Sequence, residues 1–336
     1  MRELHLIVPG LAAWRDSPHS ETIPMPGLER LLARGRPLCG ETSLADALCQ
    51  VFGVARQEDS PLAPITANYD GLNANIGYWL RVDPVHLQIG MRGMTLLDAR
   101  HVGLSEAESR SLASSLAPLF QEAGWQLLAP APERWYGHPS HGIKMRTTPL
   151  DEVATRHVNS ALPTGPGAAR AMRLINDAQI ILHDHPVNLG REQAGQAPIN
   201  SLWLWGGGEM TKTGRRFGQV LAAQTEALAL ARLSGGAAAP CPASLAEVPA
   251  AASSLLVLPE FPANADAADA TRLDRDWFTP LLRNLYLGRI RLATLRLTGP
   301  EGVGVALGLV EAWKLWKKAG QDVEPTGHAD GRGVSG

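Results

Sequence analysis

The sequence predicts an α/β fold: a mostly parallel sheet covered by helices on both faces, with an inserted α+β region. Three observations carry this reading. The apolar run Leu4–Val8 stops at Pro9-Gly10, as a short buried strand would. Helix, strand and glycine-turn patterns alternate at both ends of the chain, which is how a parallel sheet with helical crossovers is encoded. Between them, over about 78–185, the pattern changes to strand alternation and long amphipathic runs. The expected organisation is a core from residues 1–77 and 186–318, an insertion at 78–185, and a disordered tail at 319–336.

The elements follow in order. Pro26-Gly27 opens an amphipathic helix carrying Leu28, Leu31 and Leu32, which stops at Gly35. Ser43 can cap a second helix that runs through Cys49 and Phe52. Asp59–Gly77, rich in Pro, Asn, Asp and Gly, is expected to be an exposed loop. Tyr78–Gln88 alternates like a strand, and Met94–Leu97 can return beside it. Ser105 and Glu108 have capping-box spacing ahead of Leu112, Leu116, Leu119 and Phe120. Thr148-Pro149 signals another helix start. Arg170–His183 places Ala171, Leu174, Ile175, Ala178, Ile181 and Leu182 on one helical face, and Pro186 ends it. Ser201–Trp205 reads as a strand before three glycines, and Gln219–Arg232 as a helix. Gly235–Ser254 is an Ala/Pro/Ser connection; Leu255–Leu258 and Ile290–Leu297 are strands, with a helix over Trp277–Leu287.

Composition narrows the function. Hydrophobic residues at 45% and charged ones at 19% over 336 residues are enough for a sizeable core. A net charge of −2 offers no basic face for nucleic acid. No window approaches the roughly 18 apolar residues of a spanning helix, so no membrane partner is expected. Cys39, Cys49 and Cys241 have neither disulfide-framework nor zinc-site spacing, which suits a reducing, cytoplasmic setting. Trp203 and Trp205, like Trp313 and Trp316, are spaced as core residues of one element; the alternative is a stacking platform, or an apolar interaction patch for the second pair.

The densest polar stretch runs from His183 through Glu192 to Pro198–Trp205. His183, Asp184 and His185 invite a metal reading, but histidines two apart diverge by roughly 200° on a helix. Imidazoles at a helix C-terminus can instead donate to free carbonyls. Arg191 and Asn188 suit an anion, since a guanidinium fork matches phosphate or carboxylate; equally, Arg191 could clamp the loop through Asp184 or Glu192. His185, Arg81 and Trp203 are further candidates for the anion site. Arg81 and Asp83 share a strand face, as an ion pair or as a pocket wall. Gly206–Thr213 has P-loop-like spacing, but Thr211 stands where a glycine is needed. No serine, cysteine or paired-carboxylate catalytic pattern stands out.

Several of these segments resemble a known family. Ile23–Leu31 is similar to the helix after the first strand in the alkaline phosphatase superfamily. His185–Arg191, Pro198–Asn200 and Leu204–Gly206 resemble archaeal-type cofactor-independent phosphoglycerate mutases, as do Val85–Leu87, Leu97-Asp98 and the helix start at 106–108. The nearest likeness is a bacterial group with "YWLRxDPVHL" and "HDHPVNxxRExxGxxPINSLWLWGGG", also labelled regulatory proteins of the pathogenicity-factor E type. The likeness extends from the first strand to about residue 210. It implies a two-metal mutase site of aspartates and histidines, with a serine or threonine nucleophile and manganese or zinc as cofactor. Here Pro9-Gly10 follows the first strand and Asp16 comes several residues late. Asp266 and Asp269 lack histidine partners, and no histidine lies between His185 and His328. The expectation is therefore a catalytically degenerate relative with no metal, binding a phosphorylated small molecule or acting in regulation. The alternatives are an active metal-dependent mutase or phosphatase, and a protein-interaction module without a small ligand.

Overall fold

Twelve strands arrange themselves in two sheets in the computed structural model, which describes residues 2–17, 23–90, 93–153 and 161–314. They are β1 (Arg2–Val8), β2 (Arg36–Leu38), β3 (Tyr78–Gly90), β4 (Gly93–Asp98), β5 (Trp125–Ala131) and β6 (Arg134–Pro139). The later ones are β7 (Ser201–Glu209), β8 (Gln219–Leu221), β9 (Ala237–Ala239), β10 (Ser253–Val257), β11 (Ile290–Leu297) and β12 (Val303–Gly308). Seven strands form the first sheet, in the order β2-β12-β11-β1-β10-β8-β9. From β11 to β9 every neighbour is parallel, and only β12 runs against them, pairing antiparallel with both β11 and β2. The expected mostly parallel α/β architecture is present.

Alternation along β1 explains the two-sided cover. Leu4, Leu6 and Val8 join a core with Leu28, Leu31, Leu281 and Leu285, contributed by the helices Pro26–Arg34 and Thr279–Tyr286. Ile7 faces the other way, toward Leu48, Phe52 and Leu230 on the helices Leu44–Phe52 and Thr225–Leu233. Both helix starts read from serine are realised: Ser43 accepts from the Asp46 N–H, and Ser105 and Glu108 complete a capping box.

The second sheet is antiparallel and built on β3. Along one edge β3 pairs with β7; along the other it pairs first with β6 and then with β4, while β6 carries β5. The helices Glu106–Glu122 and Ala168–His183 cover one face, packing Leu112, Leu116, Phe120 and Leu174 on Leu80, Val82, Leu202 and Leu204. On β7, Trp203 and Trp205 point the opposite way, into the core that holds Ile7 and Phe52. Thus β7 is buried on both faces and joins the two halves of the molecule.

Four local expectations change. Asp59–Gly77 is not simply an exposed loop, because it contains the buried helix Leu62–Tyr69, with Leu62 to Ala67 inside. Small side chains let that helix lie close to Trp79 and Tyr136, and this tertiary cover outweighs its turn-rich composition. Gln219–Leu221 is strand, since Val220 and Leu221 pair in parallel with β10; the helix begins only at Thr225. Ala237–Ala239 forms an exposed edge strand inside the expected connection. Pro186 ends one helix and, at the first helical position, begins another, Pro186–Gln193. Trp316, His328 and the expected tail at 319–336 lie outside the described residues. Among the described residues no helix is long and apolar enough to cross a membrane, and the three cysteines are unpaired.

Candidate functional site

The conspicuous stretch at 183–205 folds into a knot of hydrogen bonds. His185 caps the helix Pro186–Gln193: its Nδ1 accepts from the Val187 N–H at 3.1 Å, and its Nε2 lies 2.9 Å from the Ser115 hydroxyl. Asn188 donates to the carbonyls of Leu182 and Ile199, each at 2.7 Å, and accepts from the Ile199 N–H at 2.9 Å. Arg191 donates through Nε to the Ala197 carbonyl (2.9 Å), through Nη1 to Glu108 (2.9 Å) and through Nη2 to the Val102 carbonyl. All three nitrogens of this buried guanidinium are therefore engaged inside the protein, with Glu108 as its carboxylate partner. Asp184 and Glu192 are not its partners. His183 and Asp184 remain on the surface, 83% and 86% exposed, while His185 is buried and turned to the helix Glu106–Glu122.

The remaining expected site residues lie elsewhere. Trp203 is buried, and its indole N–H donates to the Thr148 carbonyl at 2.9 Å. Arg81 lies on β3, two residues from Asp83, and strand geometry puts both on one face. They form a buried two-pronged pair, Nε to Oδ1 at 3.0 Å and Nη2 to Oδ2 at 2.8 Å. Asp83 also accepts from the Trp135 N–H and the Trp205 indole. Arg81 extends Nη1 to Glu226 at 3.3 Å and sits 4.8 Å from the Trp205 ring centroid. Burial works against its charge, but Asp83 and Glu226 together raise its pKa. The glycines of the P-loop-like run belong to β7, not to a phosphate-cradling turn. A Cβ at Gly207 would lie 2.1 Å from the Tyr78 hydroxyl, so close strand packing explains that glycine.

Arg81 and Asp83 open onto a cavity of about 370 Å³ with walls from both sheets. One wall is the set of carboxyl ends of parallel strands: Pro9-Gly10 after β1, Ala223–Glu226 after β8, Glu260 after β10, and Thr298-Gly299 after β11. Crevices beyond the carboxyl ends of parallel strands are where open α/β sheets bind ligands. The facing wall holds Asp98 at the end of β4 and Arg100 just beyond it, Glu133 in the β5–β6 turn, Arg134 at the start of β6, and Trp205. Leu44, Leu150 and Asp151 close one side.

Charge within the cavity is uneven. Its lining has three arginines (Arg81, Arg100, Arg134) and six carboxylates (Asp83, Asp98, Glu133, Asp151, Glu226, Glu260), a formal balance of 3 − 6 = −3. Each arginine is already paired: Arg100 with Asp98 at 2.6 Å, and Arg134 with Asp70 at 2.9 Å and with Glu133. Glu260 has no hydrogen bond or ion pair among the described residues. Burial pushes the Asp151 carboxyl up to about 7; the Leu44 N–H opposes this, and Glu226 and Glu260 add to it. Of the lining residues, sequence reasoning singled out Arg81 and Asp83 as an ion pair or pocket wall, Trp205 as a core or stacking residue, and Pro9-Gly10 and Asp98 in the family resemblance. The others come from turns and strand ends whose meeting no local pattern encodes.

The manganese or zinc implied by the resemblance does not fit the residues present. Among the described residues no group of three or more His, Cys, Asp or Glu side chains is arranged to hold a metal. Proline and glycine follow β1 where a metal-binding aspartate is implied. Asp266 and Asp269 form the capping box of the helix Ala267–Leu273, a local duty that accounts for both.

Comparison with known proteins places this geometry. No protein-family profile matches the chain. A probable 2,3-bisphosphoglycerate-independent phosphoglycerate mutase from Geobacter sulfurreducens is 28% identical over 155 residues, 45% of this chain and 37% of that protein. The Methanosarcina mazei enzyme of the same name is 34% identical over 71 residues, 21% of this chain and 18% of that protein. The matched region thus spans well under half the length of these relatives. A solved structure from Pyrococcus horikoshii covers 91% of this chain and 87% of its own, at 15% identity and a TM-score of 0.50, a likeness of fold. Over these segments the chain is similar in sequence to 2,3-bisphosphoglycerate-independent phosphoglycerate mutases, and over most of its length it shares the fold of the Pyrococcus horikoshii protein.

Proposed function

We propose that this chain is a mutase-like protein that uses its inter-sheet crevice to bind a small metabolite and has given up metal-dependent phosphoryl transfer. The observation that supports it is the residue set at the carboxyl ends of β1, β8, β10 and β11. Pro9-Gly10, Ala223–Glu226, Glu260 and Thr298-Gly299 keep a cavity but supply no nitrogen ligands and no metal-holding cluster among the described residues. Without metals, neither activation of a hydroxyl nucleophile nor charge neutralisation on a transferring phosphoryl group has an agent here. In this reading Arg191, Asn188 and His185 brace the junction between helices and β7, and ligand contact belongs to the cavity around Arg81. Binding without turnover would suit a regulatory protein.

The test is a coupled mutase assay on the purified chain with 3-phosphoglycerate and added Mn²⁺, Mg²⁺, Co²⁺ or Zn²⁺. The expected result is no turnover above the blank; metal-dependent turnover would overturn the reading. A protein-interaction role has one feature in its favour, the exposed Leu309, Val310 and Trp313 at 48%, 72% and 54%. Substituting all three with serine and measuring self-association by light scattering checks it.

A further inference from the structure

We propose that the ligand of the inter-sheet cavity is a small molecule carrying a protonated amine or guanidinium, not a free phosphate. This rests on the reading of that cavity as a binding site and names the chemical class it takes.

Two independent features support it. One is the cavity itself, about 370 Å³, concave and partly apolar, with Leu44, Leu150 and Trp205 in its walls, at a position where α/β sheets bind ligands. The other is the way its charges are paired. A phosphate needs uncommitted cationic donors, and the cavity offers few. Arg81 spends its fork on Asp83 and its remaining nitrogen on Glu226; Arg134 spends its own on Asp70 and Glu133. Arg100 is held by Asp98 through Nε and Nη2. Apart from the Nη1 of Arg100, what remains uncommitted is negative. Glu260 is unpaired, and Asp151 has one partner on its side chain, the Leu44 N–H.

Like charges in a partly desolvated space repel more strongly than in water. A dianionic phosphate entering here would face Asp151, Glu226 and Glu260 with only the Nη1 of Arg100 uncommitted to receive it. A cation relieves the same repulsion. It would give Glu260 a partner and Asp151 a charged one, and ease the repulsion from Glu226 and Glu260 that adds to burial in disfavouring ionisation of Asp151. A ligand of this kind also needs no metal, in keeping with the residues at the strand ends.

The experiment is isothermal titration of the full chain with agmatine as the cationic probe, and separately with 3-phosphoglycerate and inorganic phosphate. Agmatine is expected to bind saturably at one site, at least ten times more tightly than either phosphate compound. Glu260→Gln, at an exposed position with no partner to lose, is expected to weaken agmatine binding at least fivefold. Asp151→Asn should do the same, since its amide oxygen can still accept from Leu44. Glu192→Gln, on the remote surface, should leave binding unchanged. Saturable phosphoglycerate binding without agmatine binding overturns this proposal but leaves the loss of catalysis standing. Absence of binding by all three probes overturns it too, as does agmatine binding that both cavity variants leave unaltered. Metal-dependent mutase turnover would instead overturn the reading beneath it, so the two failures are told apart.

Discussion

Trp205 touches both members of the buried Arg81–Asp83 pair: its indole N–H donates to Asp83 Oδ2 at 2.6 Å, and the Arg81 guanidinium carbon lies 4.8 Å from its ring centroid. One side chain on β7 thus fixes an ion pair on β3, and with it the wall of the cavity. Trp205→Phe keeps an aromatic face but removes the donor, and is expected to cost about 1–2 kcal/mol in urea unfolding. Asp83→Asn leaves Arg81 buried with Glu226 alone, and a loss of about 3–5 kcal/mol is expected. A smaller loss for Asp83→Asn than for Trp205→Phe would show that the pair is not what orders this wall.

Arg191 holds Glu108 and two backbone carbonyls in place from a buried position. Arg191→Ala leaves two carbonyls without this donor and Glu108 with only its Ser105 contacts, so a loss of about 2–4 kcal/mol is expected in chemical denaturation. Arg191→Lys should recover less than half of it, because a single ammonium cannot reproduce the fork. Agmatine binding at the cavity should persist in whatever fraction of Arg191→Lys stays folded.

Tyr78 carries a buried hydroxyl with no hydrogen-bond partner among the described residues, directly over Gly207. Tyr78→Phe removes an unsatisfied polar group while keeping the ring, and a gain of about 1 kcal/mol is expected. Gly207→Ala forces a Cβ against that oxygen and should destabilise. Part of the loss should return in the double variant with Tyr78→Phe, which a double-mutant cycle would measure.

Two buried groups give opposite pH trends. Asp151 ionises near 3.8 when exposed but at about 7 in the fold, because burial disfavours its charge. The folded state therefore holds a proton that the unfolded chain releases, and stability falls as pH rises between those values. Asp151→Asn is expected to stabilise by about 1–2 kcal/mol near pH 8 and by little near pH 4. His5 is lowered from 6.5 to about 3 by burial and by Arg215 and Arg296. Its stabilising effect is present above 6.5 and is lost as pH falls toward 3, where only the unfolded chain takes up the proton. His5→Gln should flatten the acid limb of the profile, with thermal unfolding from pH 3 to pH 9 as the measurement.

The sequence is most legible where one element decides the outcome. Ser43 and Ser105 cap helices because the cap needs only a hydroxyl and an N–H within the next turn. Arg81 and Asp83 share a face because strands repeat every two residues. The helix Leu62–Tyr69 was hidden because its Ala-, Thr- and Pro-rich composition gives little apolar periodicity, and its burial comes from neighbours far along the chain. Arg191 could be read as a clamp or an anion ligand, but Glu108, 83 residues earlier, could not be named as its partner. The cavity was least legible of all. Asp151, Glu226 and Glu260 meet only after the strand order of the parallel sheet and the seating of the antiparallel one are settled.

The position of β1 at the centre of the first sheet has a kinetic consequence. Leu4 lies opposite Ser254 on one side and Ala293 on the other, and His5 bonds to Thr294, 289 residues away in sequence. The strand made earliest must wait for those made last, whereas β3 pairs with β4, its immediate neighbour in sequence. Contacts this distant along the chain slow folding and leave early apolar segments uncovered in the meantime. The antiparallel half can therefore assemble first, and Leu4–Val8 is the segment most exposed to wrong pairing until the parallel sheet closes around it.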